Sequence, residues 1–430
     1  MLEKILTKIQ AIISNRKLKN KLLFTLAIFT VSRILTHIPV PIVDVAQLKY
    51  LFASNQFLSF LNIFSGGTLA NFSIAAVGIN PYITASIIMQ LLGMVVPKIK
   101  EMQKEDEGSR AKLNQYMRLM SVPIAAVQAI SVIALLNSQN LVTSNDPLVL
   151  AVVIITLVAG AMVMMWLGEL ITEYGIGNGI SMILLAGIVS QLPSTVAQLS
   201  ISTDSGQLPT TLTIAALSLA VVALVAFMNE AVRKVTIQYA KRIRGGRQLG
   251  GQQSHLPIKV NVAGVMPIIF AISLMMMPSF LGRMLALTSN PTLISLGEKL
   301  TVWFASTSWV YVVSYFLLVF VFSYFSAIIF FKAEDLADEL KKSGAFIPGI
   351  RPGGPTRKFL EFVVTRITFA GALFLSTIAI MPSLAQMATG IQSLAIGGTS
   401  ILIVVSVVLE TSKQINSQLL SDNYDKYSSL

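Results

Sequence analysis

The chain has 430 residues, of which 54% are hydrophobic and 12% charged, with a mean hydropathy of +0.73; a soluble domain carries about 25% charge, so most of this chain faces an apolar solvent. It contains no cysteine, which excludes disulfides, Cys-ligated zinc, iron–sulfur clusters and a thiol nucleophile, and its two histidines, His37 and His255, lie far apart in sequence and give no basis for a His-rich metal site. The net charge of +12 would suit nucleic acid, but the basic residues fall between apolar runs, where they set membrane topology.

Residues 2–13 place Leu2, Ile5, Leu6, Ile9, Ile12 and Ile13 at helical spacing, with Lys4 and Lys8 off the stripe. This predicts a short helix in the membrane interface; a solvent-exposed arm fits the same pattern. Lys4, Lys8, Arg16, Lys17, Lys19 and Lys21 precede the first apolar run, with no convincing cleavage site after it. That run reads as an uncleaved anchor.

Ten spans are expected, at 22–38, 73–96, 117–136, 148–170, 179–199, 212–230, 259–281, 308–331, 362–384 and 394–412. Many are long enough to cross roughly 30 Å of hydrocarbon as a helix. All must be helical, because an open strand edge in lipid leaves backbone groups unpaired. With the N-terminus inside, 28 of the 32 Lys and Arg residues fall on inside segments or the inner ends of adjoining spans. The outside segments hold only Lys49, Arg283 and Lys299, and Arg33 lies within span one. That asymmetry predicts both termini in the cytoplasm.

Residues 57–72, FLSFLNIFSGGTLANF, are apolar and aromatic but broken by Ser65-Gly66-Gly67. The piece is too short to span and lies on the outer side. It can re-enter the membrane only where buried in protein or lining a cavity; an interfacial loop is the alternative. On the inner side, 231–258 alternates Val235, Ile237 and Tyr239 with Thr236 and Gln238, then turns through a Gly-rich tip near Lys241, Arg242, Arg244 and Arg247. This is a hairpin pattern. Residues 332–361 open with AEDLADELKKSG, acidic at the front and basic at the rear, with Gly344 as a C-cap. Two basic, structured projections on one face look like a docking platform; a charge run that only fixes topology is the alternative.

The chain therefore divides into a cytoplasmic amphipathic segment (1–21), an N-terminal half (22–199), a C-terminal half (212–412) and a cytoplasmic tail (413–430). Ten spans can form two inverted fives, but no close repeat is visible. Intramembrane charge is sparse: Glu169 and Glu173 end span four, Glu230 ends span six, and Glu410 lies near the inner end of span ten. An ion-coupled carrier normally needs more, yet a ten-span secondary transporter stays open. An intramembrane hydrolase finds less support, with no HExxH, no paired membrane aspartates and no GxSG. The string GIGNG (175–179) resembles a phosphate loop but follows no strand, so it reads as a tight turn. No catalytic residue, metal site or cofactor is expected. An uncharged aliphatic constriction can still gate, because a narrow apolar ring dewets.

Five strings carry a family likeness: FSGGTLANFSIAAVGINPYITASIIMQLL (64–92), GIGNGISMILLAGIVSQLP (175–193), HLPIKVNVAGVMPIIFA (255–271), SGAFIPGIRPGGPT (343–356) and IGGTSILIVVSVVLET (396–411). In order and over nearly the whole chain, they resemble the SecY family, the pore subunits of the bacterial protein-export channel. The resemblance implies an all-α polytopic membrane protein, with ten helices in two inverted five-helix halves around an hourglass pore, hinged between spans five and six. It implies a constricting ring of Ile79, Ile83, Leu184, Ile188, Ile269 and Ile403. A plug would lie at about 57–72, around Phe64, Ser65, Gly66, Gly67 and Thr68. Gln90, Gln128 and Ser273 would be polar members of a lateral gate between spans two and three and spans seven and eight. Lys241, Arg242, Arg244, Arg247 and Arg351 would dock the SecA ATPase or the translating ribosome. Signal sequences, unfolded preproteins, membrane lipids and the subunits SecE and SecG are the further partners implied. The expected place is the bacterial plasma membrane. Leu184 stands where isoleucine is frequent, which keeps the position aliphatic.

Overall fold

The computed structural model describes residues 14–43, 47–48, 62, 65, 67–104, 107–139, 141–142, 146–201, 208–239, 242–244, 247–249, 253–262, 264, 266–286, 288, 290–305, 308–389 and 392–428. The expected interfacial helix at 2–13 and the connection between spans five and six (202–207) lie outside them.

The first half contains α1 (Arg16–Leu35), α2 (Asn80–Val95), α3 (Pro97–Lys104), α4 (Glu107–Ser138), α5 (Pro147–Tyr174) and α6 (Gly179–Ile201). Helix α1 begins six residues earlier than its apolar run. Asn15 caps it, its side chain accepting from Lys17 N at 3.1 Å, so Arg16, Lys17, Lys19 and Lys21 lie inside the helix rather than before it. Helix α2 begins later than the expected span: Pro81 follows its first residue and favours a helix start there, while Ser73 bridges Pro39 and 74–79 form turns. Helices α4 and α5 overrun the expected spans because their polar ends carry no stop signal.

The second half starts with α7 (Leu208–Glu230). An antiparallel hairpin follows, β1 (Val232–Tyr239) with β4 (Gln253–Lys259), tipped by a smaller pair, β2 (Arg242–Arg244) and β3 (Arg247–Leu249). Then come α8 (Met266–Ala286), α9 (Pro291–Trp303), α10 (Trp309–Phe330), α11 (Ala333–Lys342), β5 (Ala345–Phe346), α12 (Gly354–Thr389) and α13 (Gln392–Ser428). Span seven thus starts at 266, since Lys259 belongs to a strand. The C-cap of α11 is Ser343, one residue before the expected Gly344, which follows at φ +69°. The element was otherwise readable: Glu334 and Asp335 sit in its first turn and Lys341 and Lys342 in its last, opposing the helix dipole favourably.

Four helices among the described residues are long and apolar enough to cross a membrane, within 111–137, 147–174, 309–327 and 354–387. Prolines interrupt α4, α6, α8 and α12 (Pro123, Pro193, Pro278, Pro382). Membrane helices tolerate this when neighbours satisfy the freed carbonyls.

Three apolar cores organise the fold. A central one draws on both halves, including Ile83, Ile171, Leu184, Ile269, Tyr315 and Ile403. A second, outward one joins the turns around Val40 and Phe72 to α4 and α5, with Leu157 fully buried. A third lies under the hairpin. Between halves, α8 packs against α2 and α4, and α13 packs against α6 and α1. These are two separate seams.

Candidate functional site

The six aliphatic positions of the expected ring sit on four stretches of chain. Ile79 is the N-cap of α2, and its carbonyl accepts from Ile83 N at 3.2 Å, so the two lie on one helical face. Leu184 and Ile188 are one turn apart in α6, Ile269 is in the first turn of α8, and Ile403 is in α13. All six belong to the central core and none exceeds 8% exposure.

Of the expected plug, Phe64 and Gly66 lie outside the described residues. Ser65, Gly67 and Thr68 are held in a run of turns. Ser65 Oγ donates to Asn62 O at 2.9 Å, Gly67 N to Asn62 O at 2.7 Å and Thr68 Oγ1 to Ser65 O at 2.9 Å. Gln191 Nε2 also donates to Asn62 O, at 3.3 Å. Gln191 is three residues beyond Ile188 on α6, so this segment adjoins one turn past the six aliphatics. Gly67 has φ +85°, and a Cβ there would stand 2.7 Å from Gln191 Nε2. Only glycine meets both conditions without strain.

The three candidate gate residues behave differently from one another. Gln90 Nε2 donates to Ser86 Oγ at 3.2 Å and Ser273 Oγ to Ile269 O at 2.9 Å, each within its own helix. Gln128 is half-buried on α4. The seam itself is formed by α8 against α2 and α4.

On the basic face, Lys241 lies outside the described residues. Arg242, Arg244 and Arg247 belong to the small β2–β3 pair, with Arg244 opposite Arg247 at its end. Arg351 is exposed in the turn before α12. The two inner loops, read as separate projections, prove to be one unit. Strand β5 pairs with β1 (Gln238 with Phe346, Tyr239 with Ala345), giving the order β4-β1-β5. Beneath the sheet, Val235, Ile237, Ile258, Ala337, Leu340 and Leu360 form the third core. Pro257 sits on the edge strand β4, where a missing N–H costs nothing.

Two features escaped the sequence reading. Helix α9 has a readable start, Asn290-Pro291, in which Asn290 Oδ1 accepts from Thr292 N at 3.2 Å. The other is a cavity of about 490 Å³ beside the six aliphatics, lined among others by Ser181, Asn229, Asn261, Met266, Ser406 and Lys413. Ser181, Met266 and Ser406 each lie three residues from Leu184, Ile269 and Ile403, so one helical turn separates the cavity wall from those side chains. No local pattern announced it, because its members come from four distant segments.

A bundle of long apolar helices with a buried aliphatic centre, a polar hollow beside it and a basic folded unit at one end is a helical membrane protein. Residues 73–412 match the sequence profile of the SecY family. The protein translocase subunit SecY of Streptomyces galbus is 42% identical over 426 residues, covering 95% of this chain and 97% of that protein. A SecY structure concerned with how its plug domain stabilises the closed translocation channel is 18% identical, with a TM-score of 0.64 over 94% of this chain and 93% of that one. A channel in a canine ribosome–channel complex from the endoplasmic reticulum is also 18% identical, with a TM-score of 0.59 over the same shares. These two likenesses show the fold. The chain belongs to the SecY family, and its place is that of the channel subunit of a protein translocase.

Proposed function

We propose that the chain passes unfolded secretory polypeptides across the bacterial plasma membrane and releases hydrophobic segments sideways into the bilayer. Ten spans in two inverted halves, with both termini cytoplasmic, complete this reading. Ile79, Ile83, Leu184, Ile188, Ile269 and Ile403 form the constriction. Such a ring offers no hydrogen bonds and so grips no particular sequence, while its narrowness dewets the pore and blocks ions. The segment 57–72 closes the outer funnel, and the α8 seam with α2 and α4 is the lateral gate. Exit through it follows transfer energy: a central leucine favours lipid by about 0.3–0.6 kcal/mol and a lysine opposes by roughly 3 kcal/mol.

The observation that carries the proposal is the convergence of six aliphatics, from α2, α6, α8 and α13, in one buried centre with the Gly67 turn beside Gln191. Arg242, Arg244, Arg247 and Arg351, with Lys241, dock SecA or the ribosome, whose RNA phosphates suit arginine's forked donors. SecE and SecG are the companion subunits. The chain supplies no chemistry, and the driving energy comes from its partners.

Reconstitution in vesicles tests this. Translocation of a secretory precursor that requires SecA and ATP, or ribosomes, is the expected result. Uptake of a small solute by the chain alone, with no precursor movement, would favour the ten-span carrier instead.

A further inference from the structure

Asn229, next to the last residue of α7, is the hub of a polar network that joins three parts of the second half. Its Nδ2 donates to Ser406 Oγ on α13 at 2.8 Å. Its Oδ1 accepts from Asn261 Nδ2, in the turn leading into α8, at 2.8 Å. Its backbone carbonyl accepts from Lys413 Nζ of α13 at 2.7 Å, which satisfies one of the free carbonyls at the end of α7. Asn261 Nδ2 also reaches Gly264 O at 3.0 Å, fixing the turn on which α8 starts.

The geometry places two aliphatics of the proposed ring directly downstream of these bonds. Ser406 is 5% exposed and lies one turn from Ile403 on α13. Asn261 holds the turn that launches α8, whose first turn carries Ile269. Both aliphatics are 2% exposed, so a small displacement of either helix opens space beside them. A satisfied buried polar network rigidifies its surroundings and specifies one arrangement of the elements it joins.

We propose that Asn229 is a positioning residue for the constriction, holding Ile269 and Ile403 in register so that the idle channel stays sealed. This rests on reading those two as ring members. It assigns the sealing role to a residue of the cavity wall that is itself no member of the ring.

Ionic current through the full chain, purified with its companion subunits and reconstituted in planar bilayers without partners or precursor, tests the proposal. Asn229→Ala should raise idle leak roughly threefold to tenfold, the scale of one or two lost hydrogen bonds. Asn229→Asp should stay near the parent level, since its carboxylate accepts from Asn261 Nδ2 and from the Ser406 hydroxyl. Ser406→Ala should leak like Asn229→Ala, and the double variant should add little, as members of one link must. Ser406→Ala carries the test alone if Asn229→Ala does not accumulate. Ile403→Gly is the control. If it leaks and neither Asn229→Ala nor Ser406→Ala does, the positioning role is wrong and the ring stands. If Asn229→Asp leaks as strongly as Asn229→Ala, keeping the links to Asn261 and Ser406 does not keep the seal, and the proposal also fails. If Ile403→Gly does not leak, the ring reading itself fails.

Discussion

Arg351 lies exposed in the turn before α12, and among the described residues its contribution to the fold is a backbone carbonyl that accepts from Thr356 Oγ1 at 2.8 Å. A charge reversal there leaves that bond in place. Arg351→Glu should therefore stop precursor export while the protein accumulates normally, measured by precursor processing against an immunoblot of the chain. Normal processing at normal level would remove Arg351 from the docking face. Gly67 makes the opposite kind of demand, because its conformation and its closeness to Gln191 both belong to the fold. Gly67→Ala should cost about 1–2 kcal/mol at that turn and show as a raised idle conductance with little change in overall thermal stability. Gly179 is stricter still: a Cβ there would overlap the carbonyl oxygen of Gly168. Gly179→Ala must push α5 and α6 apart, a loss of roughly 1–3 kcal/mol or more, seen as a lower unfolding temperature in detergent. At this scale the sequence was informative wherever a residue type has a narrow use, as glycines in tight turns do. It was silent on Asn229, whose partners Asn261 and Ser406 are 32 and 177 residues away. Polar residues near helix ends are common, and nothing local marks these three as one network.

Helices were legible as apolar runs but not in their true lengths. Helix α12 begins at Gly354, eight residues before its apolar run, because GPTRKFLE continues the helix outside the apolar stretch. There Arg357 bridges Glu334 at 3.0 Å and Glu361 at 2.9 Å. Hydropathy reports where a helix meets lipid, and hydrogen bonding decides where it ends. The same distinction explains the joined inner loops. Strand β5 is two residues long and has no pattern of its own, so its pairing with β1 appears only in three dimensions. The unit gains its solidity from the core below it, where Leu360 is fully buried beneath Ile237 and Ile258. Leu360→Ala should cost about 2–5 kcal/mol there. Limited proteolysis should then cut 231–258 and 332–353 faster while the membrane helices stay protected. Equal cutting rates would mean that the two loops do not share a core. Between α4 and α5, Arg118 and Glu169 pair at 2.8 Å; both helices belong to the first half, so the pair ties α4 to its own half.

At the scale of the whole molecule, the larger contacts between halves among the described residues are α8 with α2 and α4, and α13 with α6 and α1. On the proposed function, widening the centre parts one seam while the other holds. The charge asymmetry of the loops, the apolar runs and the ordered motif strings sufficed to anticipate a helical membrane protein of this family. Which helices touch was not readable, since an aliphatic residue facing lipid and one facing a pore look alike in sequence. Ile83 and Leu157 make the point: both are buried aliphatics in long helices, yet Ile83 belongs to the central core and Leu157 to the outward one. That difference supplies the most direct measurement. A photo-reactive amino acid is placed at position 83 or at position 157, and a secretory chain is stalled in transit. Partner-dependent crosslinking from position 83, with none from position 157, is the predicted result and puts the moving polypeptide at the proposed ring. No crosslink from position 83 in stalled complexes shown to be assembled would contradict the pore assignment and bring back the carrier reading.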